Sequence, residues 1–250
     1  MSSLNRKYGF AGLLSVGLPV FYAVAQSWGE LFVMLGDVAF ILLSGGCVVL
    51  AYVSLRKMGW GGKFGVVNLG LFAGMVCVFL GDVTGGIYDI LLKVTTPFPS
   101  VADGLYLIGY MIVSVAALQF LWFFRAAVRK VALKLIFLFG VFIVILSIVL
   151  VESNVVTSVP FVALEVAYPV YDSFLFLLSV ILLVLFRGGL ISPPWRWLAF
   201  GMLLVGVAHF LNGVGSIEGW YSFPQPIDLF YLWGYISFGL GFSMQPGLRH

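Results

Sequence analysis

The chain has 250 residues, of which 62% are hydrophobic and only 9% are charged, and its formal net charge at pH 7 is +3. A typical soluble domain carries about 25% charged residues. The composition therefore excludes an ordinary soluble protein, because too few polar side chains are available to cover a water-facing surface. It predicts a protein that faces lipid.

Eight apolar runs are long enough to form helices that cross a bilayer, which takes roughly 20 residues each. They are continuous, as in "LIFLFGVFIVILSIVLV", whereas the strands of a membrane barrel would alternate between lipid-facing and lumen-facing side chains. We predict an all-α integral membrane protein with eight transmembrane helices in one membrane domain, residues 1–250. The predicted spans are residues 8–26, 30–52, 64–84, 102–124, 131–151, 166–186, 195–213 and 227–243.

The basic residues are distributed unevenly between the segments that join these spans. Of the 13 Lys and Arg residues, all but Lys93 fall near the termini or around the connections after the second, fourth and sixth spans. These segments lie on one side of the membrane, and positive charge is retained on the cytoplasmic side. We therefore predict a multi-pass protein of the cell membrane with both termini in the cytoplasm. Cys47 and Cys77 fall within predicted spans, which argues against a disulfide framework.

An internal repeat relates residues 1–124 to residues 125–250, called here the first and second halves. "WGELFVMLGDVAFILLSGG" aligns with "ALEVAYPVYDSFLFLLSV", and "PFPSVADGLYLIGY" aligns with "SFPQPIDLFYLWGY". Each half contributes four spans, so we predict a parallel repeat with a pseudo-twofold axis along the membrane normal. The aligned pairs include Asp37 with Asp172, Gly74 with Gly201, Asp82 with His209, Asp103 with Asp228, Tyr106 with Tyr231, Gly109 with Gly234 and Tyr110 with Tyr235.

Several carboxylates lie in or beside the predicted spans. An ionisable group inside a membrane is costly unless it is paired or hydrated, so each is a candidate functional residue. A structural role also accounts for three of them. Ser100 predicts an N-cap with Asp103 at the reciprocal position of a capping box. Asp172 and Asp228 each follow a proline closely, as first-turn residues do.

Asp103 and Asp228 are each followed by tyrosines three and seven residues later, which places the side chains on one helix face. Two such faces predict a ligand-binding surface between the halves. An interfacial belt is the alternative, because tyrosines are enriched at this depth in membrane proteins generally. The faces consist of Asp103, Tyr106 and Tyr110 in the first half and Asp228, Tyr231 and Tyr235 in the second.

Asp37, Asp82 and His209 are not explained by helix-start chemistry. Asp37 lies about 10 Å along its predicted helix, and Asp82 lies near a helix C-terminus, where the helix dipole disfavours an anion. His209 aligns with Asp82, so the two predict a pair across the pseudo-twofold axis, which could be an ion pair, two metal ligands or a proton-responsive couple. The alternative is a histidine that is hydrogen-bonded within a helix interface.

Other chemistries leave no signature in the sequence. It contains no G-x-S-x-G nucleophile elbow and no glycine-rich phosphate loop, so we do not expect an enzyme of these classes, and no cofactor is indicated. The basic segments are ordinary topology determinants and predict no nucleic-acid site. The glycine-rich stretches "GGIYD" and "NGVGSIEG" are expected to be flexible outer loops.

The phrases "PFPSVADGLYLIGY", "AYPVYDSFLFLLSV" and "HFLNGVGSIEGWYSFPQPIDLFYLWGY" resemble the multi-helix membrane sensor regions that precede GGDEF/EAL cyclic-di-GMP enzymes or histidine kinases in prokaryotic signalling proteins. The resemblance covers about residues 69–242. It implies a sensory membrane module whose output lies on the cytoplasmic side. It carries no agreed ligand and therefore assigns no binding residue.

The leading hypothesis is a receptor-like module with an outward-facing polar cavity between the halves. A small-solute or ion transporter is the main alternative, and a metal-dependent membrane enzyme or an accessory subunit without a ligand are further ones. The expected partners are the lipid bilayer, a cytoplasmic signalling partner or output domain, and a second copy of the chain. The residues predicted to line the cavity are Asp37, Asp82, Asp103, Asp172, His209 and Asp228, with the tyrosines as walls.

Overall fold

The computed structural model describes residues 3–97, 99–129, 159–188, 192–217 and 220–245, and these ranges contain helices and connecting segments but no strand. A π-helical segment, Ile87–Leu92, extends the third helix, and a 3-10 turn, Pro226–Asp228, precedes the last. The all-helical prediction is confirmed for this part of the chain. The described α-helices are α1 (Ser3–Ala25), α2 (Glu30–Met58), α3 (Gly62–Gly86), α4 (Val101–Phe123), α5 (Val159–Leu185), α6 (Ser192–Ile217) and α7 (Leu229–Met244).

Five helical segments are long and apolar enough to cross a membrane, which confirms the prediction of a helical protein compatible with a membrane. Tyr171–Leu185 is a shorter apolar stretch within α5. The fifth predicted span, residues 131–151, lies outside the described residues, so the count of eight spans stays a prediction. The five segments are Lys7–Ala25, Glu30–Met58, Gly62–Leu92, Val101–Phe123 and Ser192–Gly215.

Both glycine-rich stretches that were expected to be loops are largely helical, so this prediction was wrong. Residues 85–89 complete α3 and enter the π-helical segment, and α6 continues to Ile217. Apolar surroundings offer the backbone no water as a partner, and a continued helix satisfies its N–H and C=O groups internally. Glycine is therefore tolerated at these helix ends, where it would favour a turn in water.

Side-chain contacts fix the relative directions of the helices. Lys7 donates a hydrogen bond to the backbone oxygen of Ser243 at 2.6 Å, and Trp233 donates to the backbone oxygen of Ser15 at 3.1 Å. The helices α1 and α7 are therefore antiparallel. In contrast, α2 and α7 run parallel, because Phe40 contacts the ring of Tyr231 near one end and the Cys47 thiol donates to the Tyr235 backbone oxygen further along.

The contacts between the two halves follow the alignment of the sequence repeat. Helix α2 of the first half packs against α7 of the second, and α4 of the first half packs against α5 of the second. In the sequence alignment α2 corresponds to α5, and α4 corresponds to α7. The two contacts are therefore equivalent, because each joins one helix of the first aligned pair to one helix of the second. Trp195 of α6, which is 4% exposed, also stacks on Phe120 of α4 with 3.3 Å between ring centroids.

Each half contains one very close helix crossing, and the crossings are at aligned glycines. A methyl group at Gly74 of α3 would lie 2.7 Å from the backbone oxygen of Gly109 in α4, and one at Gly201 of α6 would lie 2.9 Å from that of Gly234 in α7. Small residues at helix crossings allow backbones to approach closely in membranes. At these crossings α3 is in direct contact with α4, and α6 is in direct contact with α7.

Candidate functional site

Asp82 of α3 is buried at the boundary between the halves. Its side chain is 4% exposed. Its Oδ1 atom accepts a hydrogen bond of 2.8 Å from the Tyr106 hydroxyl in α4 and a longer one of 3.3 Å from the Tyr235 hydroxyl in α7. Tyr106 belongs to the first half and Tyr235 to the second. Asp82 is thus held by one tyrosine from its own half and one from the other.

His209 of α6 has the corresponding surroundings in the second half. Its ring meets the ring of Tyr231 in α7 edge to face at 5.0 Å and the ring of Tyr110 in α4 edge to face at 5.2 Å. Tyr168 of α5 stacks on it at 5.9 Å. Tyr231 aligns with Tyr106, and Tyr110 aligns with Tyr235. The two aligned positions therefore contact aligned tyrosines, one from each half, although one carries a carboxylate and the other an imidazole.

Four buried polar atoms at aligned positions have no hydrogen-bond partner within the described ranges. They belong to two aligned pairs, Asp37 with Asp172 and Asp82 with His209. Buried polar groups are nearly always hydrogen-bonded, so each such atom calls for an explanation. The Asp37 and Asp172 side chains are 6% and 5% exposed. The atoms are Asp37 Oδ2, Asp82 Oδ2, Asp172 Oδ1 and His209 Nε2.

Asp172 does not have the first-turn position predicted for it. Helix α5 begins at Val159 and continues through residue 169, a proline, so Asp172 lies well inside the helix. The prediction was wrong because an apolar stretch continues on the N-terminal side of that proline and keeps the backbone helical. Asp172 consequently has the same kind of position as Asp37, which α2 carries beyond its first turn.

Asp103 and Asp228 have the helix-start roles predicted for them. The backbone N–H of Ser100 donates to Asp103 Oδ2 at 2.7 Å, and the Ser100 hydroxyl accepts from the Asp103 N–H at 3.4 Å, which completes a capping box. The backbone N–H of Gln225 donates to Asp228 Oδ2 at 2.6 Å in the aligned turn. These bonds account for one oxygen of each carboxylate.

The second oxygen of each helix-start carboxylate binds a tyrosine that the sequence did not single out. The Tyr168 hydroxyl of α5 donates to Asp103 Oδ1 at 3.2 Å, which crosses between the halves. The Tyr221 hydroxyl donates to Asp228 Oδ1 at 2.9 Å. Burial and the nearby Asp228 charge raise the pKa of Tyr221, so its hydroxyl keeps its proton and remains a donor.

Further residues missed by the sequence analysis lie at the same end of the helices. The Tyr22 hydroxyl of α1 is buried without a hydrogen-bond partner in the described structure and interacts electrostatically with Asp228 and Asp37. Asp89 of the π-helical segment accepts from the Thr96 backbone N–H at 3.1 Å and acts electrostatically on Asp37. Neither residue has an aligned partner that would have drawn attention to it.

No hydrogen bond or ion pair joins Asp82 to His209 in the part of the chain that the structure describes. Asp82 binds the Tyr106 hydroxyl and His209 contacts the Tyr110 ring, so the two groups have different tyrosine contacts. A search of the described residues also finds no group of three or more His, Cys, Asp and Glu side chains that could hold a metal ion. The sequence-predicted metal role of Asp82 and His209 gains no support from this arrangement.

Two surface grooves among the described residues lie away from the predicted site residues. One lies between α1, α6 and α7 and has a volume of about 380 Å³; its lining includes Tyr8, Trp197 and Trp233. The other lies beside the start of α3 and the end of α4, near Lys63 and Trp122. The ten predicted residues instead belong to a polar network, most of it buried between helices. We call this network the polar interface.

Comparison with known proteins does not assign the chain to a family: no family model, no curated protein and no solved structure matches it. The resemblance to membrane sensor regions of signalling proteins therefore stays a prediction. The chemistry of the polar interface itself carries the functional argument.

Proposed function

We propose that the chain is a receptor-like membrane module in which ligand binding at the polar interface changes the packing of the two halves. Its eight spans would form two parallel four-helix repeats with both termini in the cytoplasm. Residues 1–124 form the first repeat and residues 125–250 the second. The output would pass to a cytoplasmic partner or output domain.

The observation that carries the proposal is the sharing of Asp82 between Tyr106 and Tyr235, which come from different halves. A buried carboxylate gains much of its stabilisation from such hydrogen bonds. Any change in the charge or ligation of Asp82 therefore changes how strongly Tyr235 is held. Since Tyr235 is part of α7, the same change alters the contact between the halves, which provides the differential interaction that a ligand-driven shift requires.

The duplicated architecture is supported by contacts that recur at aligned positions. The glycine crossings, the helix-start carboxylates and the paired tyrosines around Asp82 and His209 all follow the sequence alignment. Parallel repeats of this kind are common in membrane proteins whose binding sites lie at the repeat interface. A site between repeats is well placed to couple binding to relative movement.

A fusion protein tests the proposal. A GGDEF cyclase domain is attached after residue 250, and cyclic-di-GMP is measured in cells exposed to a panel of outer pH values, salts, amino acids and osmolytes. We expect the output to change at least twofold with one of these conditions. Tyr106→Phe and Tyr235→Phe should flatten that response, because each removes a hydrogen bond to Asp82. Tyr52→Phe, at an exposed position outside the polar interface, is the matched control and should respond like the wild type.

An output that stays constant over the whole panel, or that responds unchanged in both tyrosine variants, contradicts the receptor proposal. A transporter is the second candidate, because buried carboxylates in membrane helices also mark solute and ion pathways. Proteoliposomes containing the purified protein separate the two. Saturable uptake of a panel solute that depends on Asp82 favours transport, whereas a responsive fusion without uptake favours the receptor.

A further inference from the structure

We propose that the first half binds one small monovalent cation, a proton or Na⁺, which neutralises Asp82. The cation enters at the C-terminal end of α3, where Asp89 lies. This inference rests on the proposed function, for which it names the ligand class. Three observations carry it: a row of carboxylates that leads to Asp82, the partnerless oxygens within that row, and a contrasting arrangement at the aligned position of the second half.

The carboxylates of Asp89, Asp37 and Asp82 form a row along the α2–α3 contact. Gly86 lies one turn beyond Asp82 on α3, and a methyl group built on it would lie 3.7 Å from Asp37 Cβ in α2. Asp89 follows three residues later and accepts a hydrogen bond from the Thr96 N–H. Asp37 interacts electrostatically with both Asp89 and Asp82. The row spans about 10 Å along the helix, from the α3 end to the polar interface.

Two oxygens in this row are buried and lack a partner among the described residues. Asp37 Oδ2 and Asp82 Oδ2 have no hydrogen bond, and their side chains are 6% and 4% exposed. The electrostatic neighbours of Asp37 and Asp82 in the described ranges include no basic side chain. Burying a charge without a counter-charge is strongly unfavourable, so the arrangement calls for a positive charge that none of the described side chains supplies.

Hydroxyl groups rather than further carboxylates surround the inner end of the row. The Ser44 side chain of α2 lies within hydrogen-bonding reach of Asp82, although its hydroxyl is oriented to donate to the Phe40 backbone oxygen at 2.9 Å. Tyr106 and Tyr235 donate to Asp82 Oδ1. The oxygen Oδ2 and these hydroxyls are hard ligands, suited to a proton or an alkali cation rather than to a soft transition metal.

The second half has a base where the first half has an acid. Asp172 aligns with Asp37, and its charge acts on Tyr110, Tyr168 and Tyr231. These are the same three tyrosines that pack on His209. A carboxylate beside a neutral imidazole carries one negative charge, whereas two ionised carboxylates in the aligned cluster of the first half carry two. The first half therefore has the greater need for a cation.

The groups that face Asp82 come from three helices. On α2 they include the carboxylate of Asp37, the hydroxyl of Ser44 and the thiol of Cys47. Tyrosines face it from α4 and α7. No Lys or Arg belongs to this set in the described structure. Within the described ranges, the groups that interact with Asp82 include Asp37, Ser44, Cys47, Tyr106, Tyr110 and Tyr235.

Thermal unfolding of the purified full-length protein in detergent tests the inference. Unfolding is followed with a thiol-reactive dye, since Cys47 is buried in the folded state. One arm varies NaCl against choline chloride at fixed pH and ionic strength. The other varies pH from 5 to 8 in choline chloride. A ligand that binds only the folded state raises Tm, and we expect a rise of about 5 °C or more in one arm.

The variants assign the effect to the row of carboxylates. Asp82→Asn should abolish the Tm shift, because it supplies a neutral side chain of the same shape, and Asp37→Asn should reduce it at least threefold. Glu30→Gln removes an exposed carboxylate from the same helix as Asp37 and should leave the shift unchanged. Should Asp82→Asn fail to fold, Tyr106→Phe replaces it, with a reduced shift expected.

Each outcome has one meaning. A shift with Na⁺ that is lost in Asp82→Asn identifies Na⁺ as the source, and a shift with pH alone that is lost in Asp82→Asn identifies the proton. A wild type that responds to neither, or shifts that persist in Asp82→Asn and Tyr106→Phe, overturns the inference. The receptor proposal is tested separately, by the fusion protein. If the fusion responds to a solute other than this cation, the receptor proposal stands and the cation inference does not.

Discussion

Asp82 and His209 have aligned tyrosine neighbours but different chemistry. Each side chain lies in the C-terminal part of an aligned helix, and each contacts tyrosines from both halves. At Asp82 the tyrosines point hydroxyls at a carboxylate. At His209 they present ring edges and faces to an imidazole at 5.0–5.9 Å. We call the aligned helices and tyrosines around each of these two side chains its frame. The two frames are similar, and the charges of the side chains inside them differ.

This difference shows how similar packing can surround side chains of different chemistry. Packing constraints act on both halves alike, so the glycine crossings and the tyrosines recur at aligned positions. The chemistry depends on one side chain in each half. Two ionised Asp side chains in the first half carry more negative charge than one Asp and a neutral His in the second, so the first half has the greater need for a positive charge.

The largest expected effect comes from making the two frames chemically equal. His209→Asp places a second carboxylate among tyrosines whose hydroxyls do not donate to it. A buried carboxylate inside a membrane protein is costly unless it is paired or hydrated, so we expect a large fall in Tm in detergent. His209→Gln, which keeps a neutral polar group of similar size, is the control and should fall much less. Equal Tm values for the two variants would contradict the difference described here.

The glycine crossings should respond alike, because they belong to the shared frame. Gly74→Ala and Gly201→Ala each push a methyl group to within 2.9 Å of a partner backbone oxygen, and overpacking of this kind costs about 1–3 kcal/mol. Both should lower Tm by a similar amount. Gly46→Ala in α2 has no neighbouring atom within 4 Å and should be neutral or slightly stabilising. A strong loss at only one crossing would argue against a common frame.

The smallest expected effect is that of Tyr231→Phe, which is compared with Tyr106→Phe at the aligned position of the first half. Tyr106→Phe deletes a 2.8 Å hydrogen bond to a buried carboxylate, and such bonds contribute about 1.5–3 kcal/mol. Tyr231→Phe keeps the ring contact with His209 and should cost less than about 1 kcal/mol. The Tm values of the two variants, measured side by side, give the answer. A Tyr231→Phe loss as large as that of Tyr106→Phe would show that the frames share more than packing.

Local sequence patterns predicted local structure well. Ser100 and Asp103 are three residues apart, and their capping box depends only on nearby backbone, so the sequence alone was sufficient. Asp172 was placed wrongly because the proline before it predicted a helix start, whereas the apolar stretch on its N-terminal side keeps α5 helical. The prediction of loops at the glycine-rich ends of α3 and α6 was wrong for a similar reason, since their helical state depends on an environment without water.

The polar interface was only partly predictable. Alignment of the halves identified Asp82 and His209 as equivalent, but it could not show which tyrosines contact each of them, because those contacts depend on how α4 and α7 cross. Tyr22 and Asp89 were missed because each lies outside the repeated phrases. Tyr168 was missed because its hydrogen bond to Asp103 joins helices that are distant in sequence.

The stacking of Trp195 on Phe120 provides an intrinsic fluorescence signal for the contact between the two halves. The indole belongs to the second half and its partner ring to the first, and the indole is almost completely shielded from solvent. Indole emission moves to longer wavelength when water reaches the ring. Separation of the two halves would therefore shift the emission maximum of the protein's intrinsic fluorescence to longer wavelength, with no dye attached.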